Sequence, residues 1–285
     1  MNGLLNRRSM LTGLMAASAL PRFALAQASS PLEIGVLPNI SARVLLAQYQ
    51  PMRAYLAREL GRPVQVSTAP SWIAFHQRTL ALDYDVVVTA ANMARVAQLD
   101  SSLIPLLSYA PDIKGLIVFD RSRPIKSVSE LVGQTLVLSN PQSLVTLRGM
   151  QWLAENGVKR DGDFKTINTP TDDSVGSVVI RGDAIAAMLS GGEFRAIQET
   201  TRARLEVLVT FAEVPGFVVL ASPKLTSAEA GAIREKLLRF AADSEEGRAF
   251  FASSGFTSIQ EPVAGLMTSM DQFMEGTRLM MSKPE

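Results

Sequence analysis

The sequence predicts an α/β protein of two units, each a mainly parallel sheet flanked by helices. Short apolar runs alternate with amphipathic segments from residue 32 onward, and this alternation restarts near residue 116. From residue 227 the pattern is helical only. Strands that alternate with helical segments form parallel sheets with helical crossovers. Two such units in one chain therefore predict two lobes with a cleft between them.

In the first unit, the apolar strand at residues 32–37 ends at Pro38. Apolar residues then recur at helical spacing between residues 44 and 60. The remaining elements of this unit alternate in type. They are strands at 64–67 and 85–89 and helices at 72–82 and 93–99.

The second unit repeats the alternation, and a helical tail follows it. Strands are predicted at 116–119, 135–138, 164–167, 184–188, 205–209 and 217–220, with helices at 143–155 and 172–180. The tail is predicted as helices at 227–241, 245–253 and 263–280. Since no low-complexity linker separates the units, the pattern favours a hinged pair over independent domains.

Residues 1–28 are predicted to be an export signal. Arg7 and Arg8 begin an R-R-x-φ-φ pattern, and the apolar core at residues 10–20 is too short to span a bilayer. Arg22 after that core favours the twin-arginine route over an ordinary secretory signal, which is the alternative. Cleavage is predicted after Ala26 or Ala28, and no cysteine offers a lipid attachment site. The sequence therefore predicts a free periplasmic protein.

The composition argues against several classes of function. The chain has no cysteine, which excludes disulfides and thiolate ligands, and its one histidine, His76, argues against a zinc site. His76 is expected at a surface or boundary position of an amphipathic helix. The net charge is +1 with dispersed basic residues, so no nucleic acid partner is expected. Because phosphate-binding and nucleophile-elbow motifs are also missing, we expect no cofactor, no metal and no catalysis.

An ordered set of sequence blocks resembles one protein family. The blocks are IGVLPNISARVLL with the following GRPVQVSTAPSW (within residues 34–72), LDYDVVVTAANMARV (82–96), RPIKSVSELVGQTLVLSNPQSLVTLRG (within 123–158) and RGDAIAAML (181–189). In this order they resemble the periplasmic phosphonate/phosphite/phosphate-binding proteins of ABC importers. The resemblance covers most of residues 32–220, and the helical tail adds little to it.

The resemblance implies a two-lobed type II periplasmic binding protein. Lobe 1 would comprise residues 29–112 and 215–285, and lobe 2 residues 113–214. The chain would cross between the lobes near Ala110-Pro111 and Pro215-Gly216. Ligand would bind in the cleft at the carboxyl ends of the strands, and closure would present a distinct shape to the partner.

Ten residues are candidate ligand contacts in this cleft. They are Ser41, Trp72, Asn92, Ser139, Asn140, Ser143, Thr146, Asp172, Asp173 and Glu193. Ser41, Asn92 and Ser143 have helix capping as the alternative role, and for Ser143 the two roles can coexist. Trp72 is either a core indole or a wall that stacks on ligand. Glu193 is either a ligand contact or a solvated loop residue.

Two departures from the family pattern bear on the ligand. Leu144 and Val145 stand where the family loop carries hydroxyls, and Thr146 stands where it carries glycine. Asp172 falls where the family often has histidine. Asp172 and Asp173 either stabilise a helix start or contact a cationic or zwitterionic solute. Weak binding of phosphate and simple phosphonates is therefore expected, and the ligand itself is not identified.

The resulting functional hypothesis is a periplasmic, non-catalytic solute-binding protein of a phosphonate-like ABC importer. The alternative is a sensory protein of the same fold that presents its ligand state to a membrane histidine kinase. The expected partners are a small-molecule solute and an inner-membrane permease or kinase, and the protein is expected to be a monomer. An enzyme is disfavoured because no group of carboxylates or hydroxyls forms a catalytic motif.

Overall fold

The computed structural model describes residues 30–169 and 174–282 and contains two β-sheets with helices packed on them. The predicted signal segment and the candidates Asp172 and Asp173 lie outside the described residues. The strands are β1 (Leu32–Val36), β2 (Val64–Ser67), β3 (Val86–Ala90), β4 (Ile104–Ala110), β5 (Ile113–Asp120), β6 (Thr135–Leu138), β7 (Lys165–Asn168), β8 (Ala186–Ser190), β9 (Leu205–Val214), β10 (Phe217–Ala221) and β11 (Ser258–Gln260).

Helices follow most of the strands. They are α1 (Ala42–Leu60), α2 (Trp72–Leu80), α3 (Ala91–Ser101), α4 (Leu144–Glu155), α5 (Arg160–Asp163), α6 (Val175–Arg181), α7 (Gly191–Ala196), α8 (Glu199–Arg202), α9 (Ser227–Asp243), α10 (Glu245–Ser254), α11 (Leu266–Ser269) and α12 (Met274–Met281). Short 3-10 turns lie at Val128–Leu131 and Asp271–Phe273.

The first sheet has six strands in the order β11, β4, β10, β3, β1 and β2. β1 pairs in parallel with β2 and β3, and β10 is antiparallel to both β3 and β4. β1 to β4 therefore all point in one direction. An apolar cluster joins this sheet to α1, α9 and α10, and Leu45, Phe240 and Phe250 are fully buried in it.

The second sheet has five strands in the order β7, β6, β8, β5 and β9. β6 is parallel to β7 and β8, whereas β5 is antiparallel to β8 and β9. Only β5 therefore runs against the other strands of this sheet. The predicted α/β class is confirmed, and both sheets are mixed because β5 and β10, the strands that follow the chain crossings, run against their neighbours.

The chain crosses between the sheets twice, and the two crossings lie side by side. Residues 111–112 join β4 to β5, and residues 215–216 join β9 to β10. A Cβ atom added to Gly216 would lie 2.5 Å from the carbonyl oxygen of Tyr109, so the two segments touch through backbone atoms. The N–H of Thr257 donates to the carbonyl of Ala110 at 2.8 Å and adds a third segment to this junction.

Gly216→Ala should destabilise the protein by about 1–3 kcal/mol, because the methyl group must displace backbone rather than a flexible side chain. Urea unfolding measures the change. Gly231→Ala in α9 is the control, since an added Cβ there meets nothing within 4 Å. That control should raise stability by roughly 0.5–1 kcal/mol. Equal stability of the two variants would contradict the close approach at the crossings.

Several features of the fold differ from the sequence prediction. The short helices α5, α7 and α8 were not predicted. β4 was not predicted; Pro105 interrupts its apolar run, and Pro is a weak strand signal. After residue 221 the chain is not purely helical, because three-residue β11 pairs with the end of β4. The single helix predicted at 263–280 is divided into α11, a 3-10 turn and α12.

Candidate functional site

The carboxyl ends of the parallel strands of both sheets face the chain crossings. β4 ends at Ala110 where β5 begins, and β9 ends at Val214 where β10 begins. The strands parallel to β4 and β9 therefore also end on this side of their sheets. The segments that leave β1, β2 and β3 thus lie on one side of the candidate cleft, and those that leave β6 and β8 lie on the other. Ligands of α/β sheets bind at such carboxyl edges.

The loop after β6 satisfies most of its own polar side chains. The amide oxygen of Asn140 accepts from the N–H of Gln142 at 2.8 Å. The Asn140 carbonyl accepts from the hydroxyls of Ser143 at 3.1 Å and Thr146 at 2.6 Å. Ser143 also caps α4, since its oxygen accepts from the Thr146 N–H at 3.1 Å. Three of the predicted contacts are therefore already bonded within the loop.

The first two backbone N–H groups of α4 remain open. Those of Leu144 and Val145 donate to no acceptor in the described part of the chain. Both side chains are instead buried, in an apolar cluster that also includes Met93 and Phe273 of the other half. Side chains at these two positions thus point into the core, and the oxyanion-binding capacity of α4 lies in its backbone and dipole.

Ser139 is the buried residue at the carboxyl end of β6, where its N–H donates to the carbonyl of Met188 at 3.2 Å. Gln142 lies half-buried in the same loop, and its side chain makes no hydrogen bond with any described residue. Gln142 was not among the predicted ligand contacts, because a lone glutamine in a turn carries no motif.

Trp72 begins α2 on the opposite wall. It is half-buried, and its indole N–H donates to the carbonyl of Pro38 at 3.1 Å. The ring therefore connects the segments that follow β1 and β2. The hydroxyl of Ser71 caps the same helix through the N–H of Ala74 at 3.1 Å. Core packing and a place at the cleft, the two roles considered for Trp72, are both compatible with this position.

Asn92 is fully buried in the first turn of α3. Its amide nitrogen donates to the hydroxyl of Thr277 at 2.9 Å, and that hydroxyl donates to the carbonyl of Phe273 at 2.7 Å. The amide oxygen of Asn92 has no partner among the described residues. Asn92 therefore fixes the C-terminal helix α12 to α3, and its role as a ligand contact stays a prediction. The partner lies 185 residues away, so no local sequence signal could have indicated it.

Ser41 and Glu193 occupy helix starts. Ser41 is exposed before α1, and its side chain makes no capping hydrogen bond. Glu193 forms a capping box with Ser190, in which each side chain bonds the other residue's backbone N–H. The carboxylate of Glu193 is therefore engaged within α7 rather than free in a loop.

The described segments of the cleft carry little charge. Residues 37–41, 68–71, 90–92, 139–143 and 190–193 include one ionisable side chain, that of Glu193. Positive potential beside these segments comes from the helix N-termini that follow β3 and β6, and from Arg195, whose guanidinium lies 3.7 Å from the Cβ position of Gly191. α3 begins at Ala91 without a side-chain cap, and α4 has the two open N–H groups. An anion held here would be bound by backbone amides.

Residues 30–169 and 174–282 contain no group of three or more His, Asp or Glu side chains that could hold a metal ion. Within the same residues, every helix is too short or too polar to cross a bilayer.

The family model described as ABC transporter, phosphonate, periplasmic substrate-binding protein matches residues 34–264. The chain belongs to this family. It is thus a periplasmic substrate-binding protein of the phosphonate ABC transporter class, as the sequence blocks indicated. No protein among the curated sequences compared with the chain matches it significantly.

Solved structures show the same fold at low sequence identity. PhnD1 from Prochlorococcus marinus in complex with methylphosphonate superposes with a TM-score of 0.76 at 14% identity, covering 87% of this chain and 98% of that one. A binding protein component of an ABC phosphonate transporter from Pseudomonas aeruginosa gives 0.73 at 15% identity, with 88% and 89% covered. A histidine kinase sensor domain gives 0.55 at 14% identity, with 80% and 98% covered. The predicted type II periplasmic binding fold is confirmed.

Proposed function

We propose that this substrate-binding protein captures an organic solute that carries an oxyanion group, which backbone amides hold. Weak binding of simple phosphonates was expected because residues 144 and 145 lack hydroxyls, but both side chains are buried and the N–H groups of these residues are the available donors. A phosphonate is therefore the leading case. The observation that carries the proposal is the pair of open N–H groups at Leu144 and Val145, at the start of a helix whose preceding loop, residues 139–143, has no ionisable side chain. Hydrogen bonds from a helix N-terminus suit an oxyanion without a counter-charge. The half-buried Trp72 on the facing wall supports an apolar organic portion of the ligand.

The binding event is reversible closure of two lobes, without a chemical step. We assign lobe 1 to residues 29–112 and 215–285 and lobe 2 to residues 113–214. The sheet composition supports this division, since β1–β4, β10 and β11 form one sheet and β5–β9 form the other. The closed monomer delivers its solute to an ABC permease. The family match favours this role over presentation to a sensor kinase, although a kinase sensor domain shares the fold.

Leu144→Pro tests the backbone-amide proposal, because proline removes the N–H at the first helical position. Proline is tolerated there, and the φ of −74° and ψ of 152° at Ser143 suit a residue that precedes proline. One hydrogen bond to a charged group contributes about 1.5–3 kcal/mol, so affinity for methylphosphonate should fall roughly 10–100-fold. Isothermal titration calorimetry measures the affinity.

Leu144→Val is the matched control, since it also alters the buried side chain but keeps the N–H. It should bind methylphosphonate within about threefold of the natural protein, a difference of less than 1 kcal/mol. If the proline and valine variants bind equally well, backbone amides of α4 do not hold the ligand.

We further propose export by the twin-arginine route without lipid attachment. The motive is the Arg7-Arg8 pair with Arg22 behind the apolar core. Arg7→Lys combined with Arg8→Lys should leave the precursor in the cytoplasm, which cell fractionation and immunoblotting detect. Arg43→Lys in the mature part is the control and should be exported normally. Undiminished export of the double variant would show that the general secretory route suffices.

A further inference from the structure

A second polar cavity lies at the end of the second sheet that points away from the cleft. Its volume is about 410 Å³, and it is lined by Ser177, Ile180, Arg181, Thr200, Thr201 and Arg204. β5 runs against the other strands of its sheet, so its carboxyl end at Asp120 marks the edge opposite the cleft. Arg204 contacts Asp120 and therefore belongs to that far edge.

One guanidinium of this cavity is held by a buried carboxylate. Asp120 is 2% exposed, and it pairs with Arg204 at 3.1 Å and Arg123 at 3.3 Å. Arg123 also donates to the backbone carbonyl of Val179 at the end of α6. Two cations thus share one carboxylate, and a net positive charge remains beside the cavity.

The second guanidinium, that of Arg181, has N–H groups that no described residue accepts from. Arg181 uses its Nε to reach Asp183 at 2.9 Å, which leaves its terminal N–H groups for another acceptor. The hydroxyls of Ser177, Thr200 and Thr201 make no side-chain hydrogen bond within residues 30–169 and 174–282. The described residues that line the cavity include no carboxylate, but Asp183 and Asp120 pair with its two arginines from outside the lining. The guanidinium N–H groups that these two pairs leave unused, together with the three hydroxyls, remain as donors.

We propose that this cavity is a second binding site, specific for a small tetrahedral oxyanion such as phosphate or sulfate. Planar guanidinium groups bind oxyanions through paired N–H donors, and hydroxyls complete the shell of such an ion. Arg204 is pre-oriented by Asp120, which lowers the entropic cost of binding. The site differs from the cleft in its donors, because it uses charged side chains where the cleft uses backbone amides.

The test compares the natural protein with Arg181→Gln and Arg239→Gln by titration with inorganic phosphate. Arg239 is the matched control, since it is 60% exposed and paired with one glutamate, as Arg181 is 60% exposed and paired with one aspartate. Arg181→Gln should weaken one phosphate-binding component at least fivefold and leave any other component unchanged. Arg239→Gln should match the natural protein.

Crystals soaked in selenate locate the ion independently through its anomalous signal. A peak within hydrogen-bond distance of Arg181 and Arg204 supports the site. A peak confined to the cleft, or equal phosphate titrations for the two arginine variants, overturns it. A selenate peak at the cavity without any change in the titration of Arg181→Gln marks an adventitious ion only and also overturns it.

Discussion

Replacing Asp120 with alanine is expected to lower the free energy of unfolding by about 1.5–3 kcal/mol, because the variant loses charged hydrogen bonds of a buried carboxylate while its half-exposed arginine partners can be solvated. Its carboxylate accepts from the Ser122 N–H at 3.0 Å and pairs with Arg123 and Arg204. These contacts connect the end of β5 with α6 and with the start of β9. Burial alone would raise the pKa of the Asp120 carboxyl, but the hydrogen bonds and the two guanidinium charges lower it overall.

Urea unfolding gives the free energy of unfolding of Asp120→Ala, and Asp183→Ala is the control. Asp183 pairs with Arg181 at 2.9 Å, but its side chain is 52% exposed. Its loss should therefore cost less than about 1 kcal/mol. Similar costs for the two variants would mean that the buried carboxylate contributes no more than a surface ion pair.

Stability should fall steeply as the pH is lowered from about 6.5 to 4, because His76 is buried as a neutral side chain. Burial lowers the pKa of His76 from 6.5 to about 4, and the nearby charge of Asp100 only partly opposes this. Between these pH values the unfolded chain binds a proton that the folded protein does not. The stabilisation is therefore complete above pH 6.5 and is lost progressively down to pH 4, where the folded protein also takes up the proton.

His76→Gln removes this titration while keeping a polar side chain of similar size. The stability difference between the natural protein and the variant should change by about 3 kcal/mol from pH 7 to pH 4, since one pKa unit corresponds to about 1.4 kcal/mol. Chemical denaturation at several pH values gives the difference, and the carboxylates common to both proteins cancel. A pH-independent difference would contradict the buried neutral histidine.

The sequence predicted those elements whose signals are local. β6 and α4 were found because an apolar strand leads to Ser143, whose hydroxyl caps the helix as expected. The surface or boundary position expected for His76 was wrong. The side chain is 4% exposed because α3 and α12 cover the face of α2 that the helical pattern left open. Packing by distant segments carries no signature near residue 76.

The site shows the same division between local and distant information. The position of the loop after β6 was predictable, because a strand, a turn and a capped helix follow one another in the sequence. The internal use of Asn140 and Thr146 was not predictable, since it depends on the turn conformation. The link from Asn92 to Thr277 joins two elements that only the completed fold brings together.

The strand order of the two sheets sets the sequence in which they can be completed during synthesis. All strands of the second sheet lie between residues 113 and 214, so that sheet has every strand as soon as residue 214 is available. In the first sheet β10 lies between β3 and β4 and pairs with both. These two strands therefore cannot belong to one sheet until residue 221 has been made. Until the C-terminal part of the chain is made, β3 therefore has one unpaired edge and β4 has two, which β10 and β11 later cover. A released chain that ends near residue 215 should thus contain a formed second sheet and an unfinished first one, although the first sheet begins 81 residues earlier, at Leu32 against Ile113.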